Sequence, residues 1–142
     1  MRKKLFAWSL FILVSASALA ADVPGILVET LVKTNQTWDG TPLPAYPAST
    51  PEISVLRFTI PPGAQLLPHH HPVINVAYVI KGELKVTTEQ GLTKGLKAGD
   101  ALVELVDQIH FGKNEGTEPV ELVVVYAGAN GQRVTVLGDQ QP

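Results

Sequence analysis

The sequence predicts an all-β protein with one domain. Short apolar segments recur along the chain, and turn residues separate them, since 12 glycines and 11 prolines are spread over 142 residues. No stretch after residue 20 has a convincing helical periodicity. Eight to ten short strands at close spacing indicate a closed barrel or two packed sheets, because either arrangement leaves few unpaired strand edges.

The first 20 residues have the pattern of a cleaved signal peptide. Three basic residues follow Met1, residues 5–14 are apolar apart from one serine, and small residues end the segment at Ala20. This apolar core is short for a membrane span, which needs about 20 residues. We therefore expect a mature protein that begins at Ala21, is periplasmic or secreted, and has no membrane contact after cleavage.

The composition argues against several kinds of partner and site. The chain has 11 Lys+Arg and 13 Asp+Glu, and loss of the three basic residues of the signal leaves 8 against 13. An acidic chain is not expected to bind nucleic acid or an anionic membrane surface. The absence of cysteine excludes disulfides, cysteine-ligated zinc and a thiol nucleophile.

The remaining chain divides into three parts. Residues 21–52 should contain an N-terminal strand, at 26–32, and a proline-rich loop; residues 53–137 should form the barrel, and residues 138–142 a polar tail. The segment Val120–Tyr126 is the longest apolar strand and is expected to be buried on both faces. The predicted strands of the barrel are 53–60, 73–80, 83–88, 92–96, 101–106, 120–126 and 133–137.

Three of the four histidines are consecutive, at His69, His70 and His71. Side chains alternate along a strand, so His69 and His71 should point to one side and His70 to the other. Two imidazoles on one face can share a metal ion, and His110 is the remaining histidine that could supply a third ligand. The alternative is that the three histidines lie in a solvated loop.

The spacing around these histidines resembles the first motif of the cupin family. Gly63 is followed by five residues, His69-x-His71, three residues, Asn75, six residues and Gly82. Every spacing of the motif is present. The departure is Asn75, which stands where the family has a metal-binding glutamate.

The second cupin motif is matched in part. Gly99, His110 and Asn114 have its spacing, whereas Leu105 and Asp107 stand where the motif has proline and glycine. The two motifs together identify the chain as a small, single-domain cupin. The resemblance implies a cupin-type jelly-roll β-barrel.

The resemblance also implies that His69, His71 and His110 are ligands of a divalent transition metal, whether Fe, Mn, Zn, Ni or Cu. Asn75 could bind the metal through its amide oxygen, or could donate a hydrogen bond to a bound molecule. Without the usual carboxylate, the site is less negative and should favour anionic ligands. The alternative is a cavity that binds a ligand without a metal.

Glu104 is the candidate catalytic residue. It lies within the apolar run 101–106, where a charge is costly unless it is paired or faces water. It could act as a general base or contact a metal ligand. The alternative is that it faces solvent on the outside of a strand.

These observations predict an exported metal-binding cupin. We expect a small metalloenzyme, with oxygenase-, isomerase- or hydrolase-like activity, that acts on a small polar or anionic molecule. The alternative is a cupin that binds a small molecule or a metal without catalysis. We also expect a homodimer, because small cupins commonly form one.

Overall fold

The structure, a computed structural model, describes residues 25–138. The predicted signal peptide and residues 139–142 of the predicted tail lie outside the described residues. No helix in the described range is long and apolar enough to cross a membrane. The strands of this range are β1 Pro51–Ile60, β2 His69–His70, β3 Ile74–Lys81, β4 Glu83–Thr88, β5 Thr93–Lys97, β6 Ala101–Val103, β7 His110–Lys113, β8 Val120–Ala129 and β9 Val136–Leu137.

The strands form two antiparallel sheets, which confirms the all-β prediction. One sheet has the order β1-β8-β3-β6, and the other has the order β5-β4-β7-β2-β9. Apolar side chains from both sheets pack into one core between them, as expected for a sheet sandwich. Its members include Ile60, Val79, Leu122 and Val124 from the first sheet and Leu84, Val86 and Leu96 from the second.

Strand β8 is buried on one face only, so the prediction of burial on both faces was wrong. Its even-numbered residues from Val120 to Tyr126 are buried, whereas Val123 is half-buried and Val125 is exposed. The physical reason is that β8 lies between β1 and β3 in a two-sheet arrangement, where each strand has one inward face. The alternating burial places Tyr126 inside the barrel.

The predicted N-terminal strand at 26–32 is also absent from the structure. Residues 25–34 have no strand partner within the described range, and Ile26, Leu27 and Val28 are exposed. Strand propensity alone does not produce a strand without a neighbouring edge that pairs with it. We call residues 25–34 the N-terminal arm.

Strand β6 ends at Val103, three residues before the predicted end. The N–H of Glu104 still donates to the Asn75 carbonyl of β3 at 3.2 Å, and the chain then turns. The reason is that β6 and β7 belong to different sheets, so the chain must leave the first sheet to reach His110. The turn includes Asp107, whose φ of 55° is the left-handed conformation that the motif's glycine would adopt easily.

Gly82 makes the connection from β3 to β4, which also joins the two sheets. Its φ is +80°, and a Cβ at this position would lie 2.8 Å from the Pro119 carbonyl oxygen and 3.0 Å from the Val120 Cα. Both obstacles are backbone atoms, which cannot rotate away. The glycine that closes the first motif is therefore required by conformation and by space.

We expect Gly82→Ala to lower the free energy of unfolding by about 2 kcal/mol or more. The left-handed conformation alone costs an alanine roughly 1–2 kcal/mol, and the backbone overlap adds to this cost. Gly95→Ala in β5 is the matched control, because Gly95 has no positive φ and a Cβ added there would meet no atom within 4 Å. Urea unfolding should show little change for the control; equal effects of the two substitutions would contradict the account.

Candidate metal centre

Three histidines meet in the space between the sheets. His69 in β2 lies directly opposite His110 in β7, and His71 follows β2 by one residue. Their ring centroids are 4.7 Å apart for His69 and His110, 4.8 Å for His69 and His71, and 5.1 Å for His71 and His110. All three are buried, and one nitrogen of each lies within 4.8 Å of the others, so the group could hold a metal ion.

His70 has a different environment from its two neighbours. Its Nδ1 lies 3.5 Å from Asp107 Oδ1, and its side chain does not line the cavity around the other histidines. The structure therefore brings together the three predicted metal-binding histidines and separates them from His70.

Backbone carbonyls determine which ring nitrogen of each histidine is available. Nδ1 lies 2.7 Å from the Leu67 oxygen in His69, 2.7 Å from the Val134 oxygen in His71 and 2.8 Å from the Gln108 oxygen in His110. A carbonyl oxygen only accepts, so each Nδ1 must donate its proton. In a neutral ring this leaves Nε2 unprotonated, which is the form that binds a metal.

The Nε2 atom of His110 is a buried polar atom without a hydrogen-bond partner among the described residues. A buried polar atom without a partner costs about 1–3 kcal/mol, so such atoms usually have a functional explanation. A metal ion bound between the three histidines would satisfy it, and the donor set fits a divalent transition metal.

Burial keeps two of the rings neutral. It lowers the pKa of His69 to about 4, and it also lowers the pKa of His110, because removal from water disfavours the charged imidazolium. Both rings are therefore in the metal-binding form at neutral pH.

Glu104 lies in the wall of the same cavity. Its side chain is buried, and its Oε2 lies 3.1 Å from His71 Nε2. Burial alone would raise the pKa of Glu104, but the hydrogen bond from His71 and the nearby imidazoles outweigh it, so the pKa lies below its usual value. The alternative of a solvent-facing Glu104 does not fit this position; its role as a catalytic residue stays a prediction.

Asn75 is buried on the inner face of β3 but is not among the residues that line the cavity. Neither its side-chain oxygen nor its nitrogen has a hydrogen-bond partner among the described residues. The pairing of Val76 with Val103 places Asn75 directly opposite Glu104. Its role as a metal ligand stays a prediction.

Tyr126 and Thr135 complete the polar part of the cavity, and the sequence analysis missed both. The Tyr126 ring packs edge-on against His71 with centroids 5.4 Å apart, and Thr135 Oγ1 lies 3.2 Å from His71 Nδ1. Burial, with the nearby Glu104 charge, raises the pKa of Tyr126 to about 12, so its hydroxyl stays protonated. Strand alternation in β8 could have placed Tyr126 inside. Thr135 falls in the predicted strand 133–137, but the structure forms only Val136–Leu137 of it, so alternation does not apply at Thr135.

The rest of the cavity is apolar and small. Its volume is about 260 Å³, below the roughly 300–1,000 Å³ of pockets for drug-sized ligands, so it suits a small molecule. The apolar lining includes Phe58, Leu66, Leu84, Val86, Leu122 and Val124.

Asn114, the last residue of the second motif, has a structural role. Its Nδ2 donates to the Ile60 and Glu118 carbonyls at 2.9 and 2.8 Å, and its Oδ1 accepts from the Gly116 N–H at 3.0 Å. The side chain is fully buried, and these three bonds tie the end of β1 to the loop after β7.

We expect the metal-free protein to lose stability as the pH falls from about 6.5 to about 4. Between these pH values His69 binds a proton in the unfolded state but not in the folded state. The free energy of unfolding therefore decreases as the pH falls. The shift in pKa of His69 corresponds to roughly 3 kcal/mol. Urea unfolding in the presence of a chelator would measure this loss.

His69→Gln is the control for this prediction, because glutamine does not titrate. Its free energy of unfolding should vary less over the same pH window than that of the unchanged protein. Parallel pH profiles for the two proteins would contradict the proposed burial of a neutral His69.

Known proteins resemble this chain in sequence and in fold. A family model described as "Cupin domain" matches residues 56–126, which is half of the chain. Germin-like protein subfamily 2 member 2 from Arabidopsis thaliana is 34% identical over 83 residues, which cover 55% of this chain. The chain spans only 38% of the length of that relative.

Two solved structures have a similar fold. An uncharacterized conserved protein with a double-stranded β-helix domain from Klebsiella pneumoniae has a TM-score of 0.55 and 26% identity; the match covers 79% of this chain and 100% of that one. Oxalate oxidase in complex with the substrate analogue glycolate has a TM-score of 0.52 and 26% identity, over 61% of this chain and 46% of that one. The family model matches half of this chain, and the two sheets form the barrel that the family has. The chain therefore belongs to the cupin family.

Proposed function

We propose that His69, His71 and His110 bind one divalent transition metal, and that the protein is a small metalloenzyme for a small anionic molecule. The observation that carries this proposal is the arrangement of the ring nitrogens. Each Nδ1 proton is donated to a carbonyl, which leaves the three Nε2 atoms to bind a common metal ion, with Glu104 beside that of His71.

The ligand set limits the metal and its chemistry. Imidazole suits Zn, Cu, Fe and Ni, and Mn less strongly. Few protein ligands around an ion that borders a cavity leave coordination positions open, which is the pattern of catalytic rather than structural sites. When bound, the metal would supply Lewis-acid chemistry or, if it is Fe, Mn or Cu, redox chemistry.

Charge and size favour a small carboxylate as substrate. Three neutral imidazoles cancel none of the charge of a divalent ion, and the single carboxylate in the cavity wall, Glu104, cancels only part of it, so the site should attract an anion. The cavity of about 260 Å³ has room for a small acid, and its apolar lining suits a short carbon skeleton. The similarity to an oxalate oxidase whose structure holds glycolate supports the same class of molecule.

Export is part of the proposal, because residues 1–20 have the pattern of a signal peptide. Fractionation of the producing cell should then find the protein in the periplasm or the medium. A protein that stays in the cytoplasm with residues 1–20 attached would contradict it.

A homodimer is the proposed assembly. Ile26, Leu27, Val28 and Leu31 of the N-terminal arm are 51–93% exposed, which leaves an apolar segment without cover on its own chain. Strand β1 pairs only with β8 within residues 25–138, so its other edge presents unpaired backbone groups. Ile53 and Val55 of β1 are exposed as well.

A second copy of the chain fits both features. The arm of one copy could add to the free edge of β1 in the other, and a twofold axis would repeat the contact. This pairing would give residues 26–32 the strand conformation that their sequence favours.

We expect the purified protein to bind one equivalent of metal, and His69→Ala and His110→Ala to abolish tight binding. Loss of a ligand should cost more than the roughly 10–100-fold in affinity that loss of a ligand's hydrogen-bond partner costs. Elemental analysis and competition with a chelator would measure stoichiometry and affinity. His70→Ala is the matched control and should bind metal normally, since His70 lies outside the cavity.

Turnover separates the enzyme from a binding protein. The metal-loaded protein should convert at least one acid from a panel that includes oxalate and glycolate, and His110→Ala should not. Tight binding of an acid without turnover would favour the non-catalytic alternative. A protein that takes up no transition metal would refute the proposal.

We expect Leu27→Asp to convert the dimer into a monomer, because a charge at the centre of the apolar arm would be buried in the interface. Light scattering during size-exclusion chromatography measures the mass of each protein. Leu92→Asp is the control, since Leu92 is 51% exposed in the turn between β4 and β5, away from β1. An unchanged protein that is already monomeric would contradict the dimer.

A further inference from the structure

We propose that Glu104 is the fourth protein ligand of the metal, and that it replaces the glutamate that the first cupin motif has at position 75. The carboxylate missing from β3 is thus supplied by the neighbouring strand. This inference rests on the proposed metal site.

Strand pairing makes the exchange possible. Val76 pairs with Val103 and Ala77 with Leu102, so position 75 faces position 104. The Glu104 N–H donates to the Asn75 carbonyl at 3.2 Å, which continues this pairing one residue beyond the end of β6. Residues directly opposite each other in an antiparallel pair point to the same face of the sheet. A carboxylate at either position therefore starts from the same side of the barrel.

A proton or a metal ion must lie between Glu104 and His71. His71 Nδ1 donates to the Val134 oxygen at 2.7 Å, so its Nε2 is an acceptor in the neutral ring. Glu104 Oε2 lies 3.1 Å from this nitrogen. Two acceptors at this distance repel each other unless a proton or a metal ion lies with them. In the metal-bound protein the ion takes the place of the proton that otherwise lies between His71 Nε2 and Glu104 Oε2.

The surroundings of Glu104 offer no other charge partner. Its side chain is buried, and the only basic side chain within 4 Å of its carboxylate among the described residues is His71. A buried carboxylate is unfavourable unless its charge is compensated, and a bound metal would compensate it more fully than one imidazole. With Glu104 as a ligand, the site of a divalent ion has a net charge of about +1 and still attracts an anion.

Cobalt binding tests this inference with a readout other than activity. Co²⁺ is titrated into the metal-free protein, its visible absorption reports the ligands, and a chelator competition gives the affinity. We expect Glu104→Gln to change the spectrum and to weaken binding by more than roughly 10–100-fold, which is the usual effect of removing a ligand's hydrogen-bond partner. Glu83→Gln, on the exposed face of β4, is the control and should match the unchanged protein.

A double variant that exchanges the two residues gives the decisive test. Asn75→Glu combined with Glu104→Asn moves the carboxylate to the family's own position, and it should restore Co²⁺ affinity to within about tenfold of the unchanged protein. If Glu104→Gln keeps both the spectrum and the affinity, Glu104 is not a ligand and the inference fails, even if turnover is lost. If the unchanged protein binds no Co²⁺, Zn²⁺, Mn²⁺ or Cu²⁺, the metal site itself is refuted, and this inference with it.

Discussion

The pairing of β2 with β7 is the contact on which the site depends. It places His69 directly opposite His110, although the two residues are 41 positions apart in the sequence. Strand β2 has only two residues and is held between β7 and β9, so both of its edges are paired. The loop that carries Val134 and Thr135 reaches His71 because β9 pairs with β2. One short strand therefore positions the histidines and the groups that orient them.

Buried polar atoms are concentrated around the three histidines, in an otherwise apolar interior. The three Nδ1 protons are used by carbonyls, while His110 Nε2 and the side-chain amide of Asn75 have no hydrogen-bond partner among the described residues. Proteins rarely keep such groups without a function, because each costs about 1–3 kcal/mol. A bound metal would supply the missing partner and remove this cost. It would also stabilise the protein, because it binds the folded state and not the unfolded state.

The sequence predicted the fold and most of the site because spacing and alternation are local properties. The motif spacing identified His69, His71 and His110, and strand alternation separated His70 from them. The failures arose where the outcome depends on distant chain segments. The arm has the apolar pattern of a strand but no edge beside it, and β6 stops at Val103 because the chain must change sheets.

Contacts made by loops were the hardest to foresee. The partner of His71 Nδ1, the Val134 oxygen, lies 63 residues away. Val134 and Thr135 fall in the predicted strand 133–137 but lie in the loop before β9, so their contacts with His71 could not be found from strand alternation. Glu104 was identified as unusual because it interrupts an apolar run. Its position opposite Asn75 needed the register of β3 and β6, which the sequence alone does not give.

The most direct test of the account is anomalous diffraction from crystals of the protein as isolated, measured at the absorption edges of Fe, Mn, Zn, Ni and Cu. We expect one strong peak per chain, at about 2.0–2.1 Å from the Nε2 atoms of His69, His71 and His110, which is the usual distance from zinc to a histidine nitrogen. The absence of a peak there after metal loading, or a metal bound through Nδ1 atoms, would contradict the account.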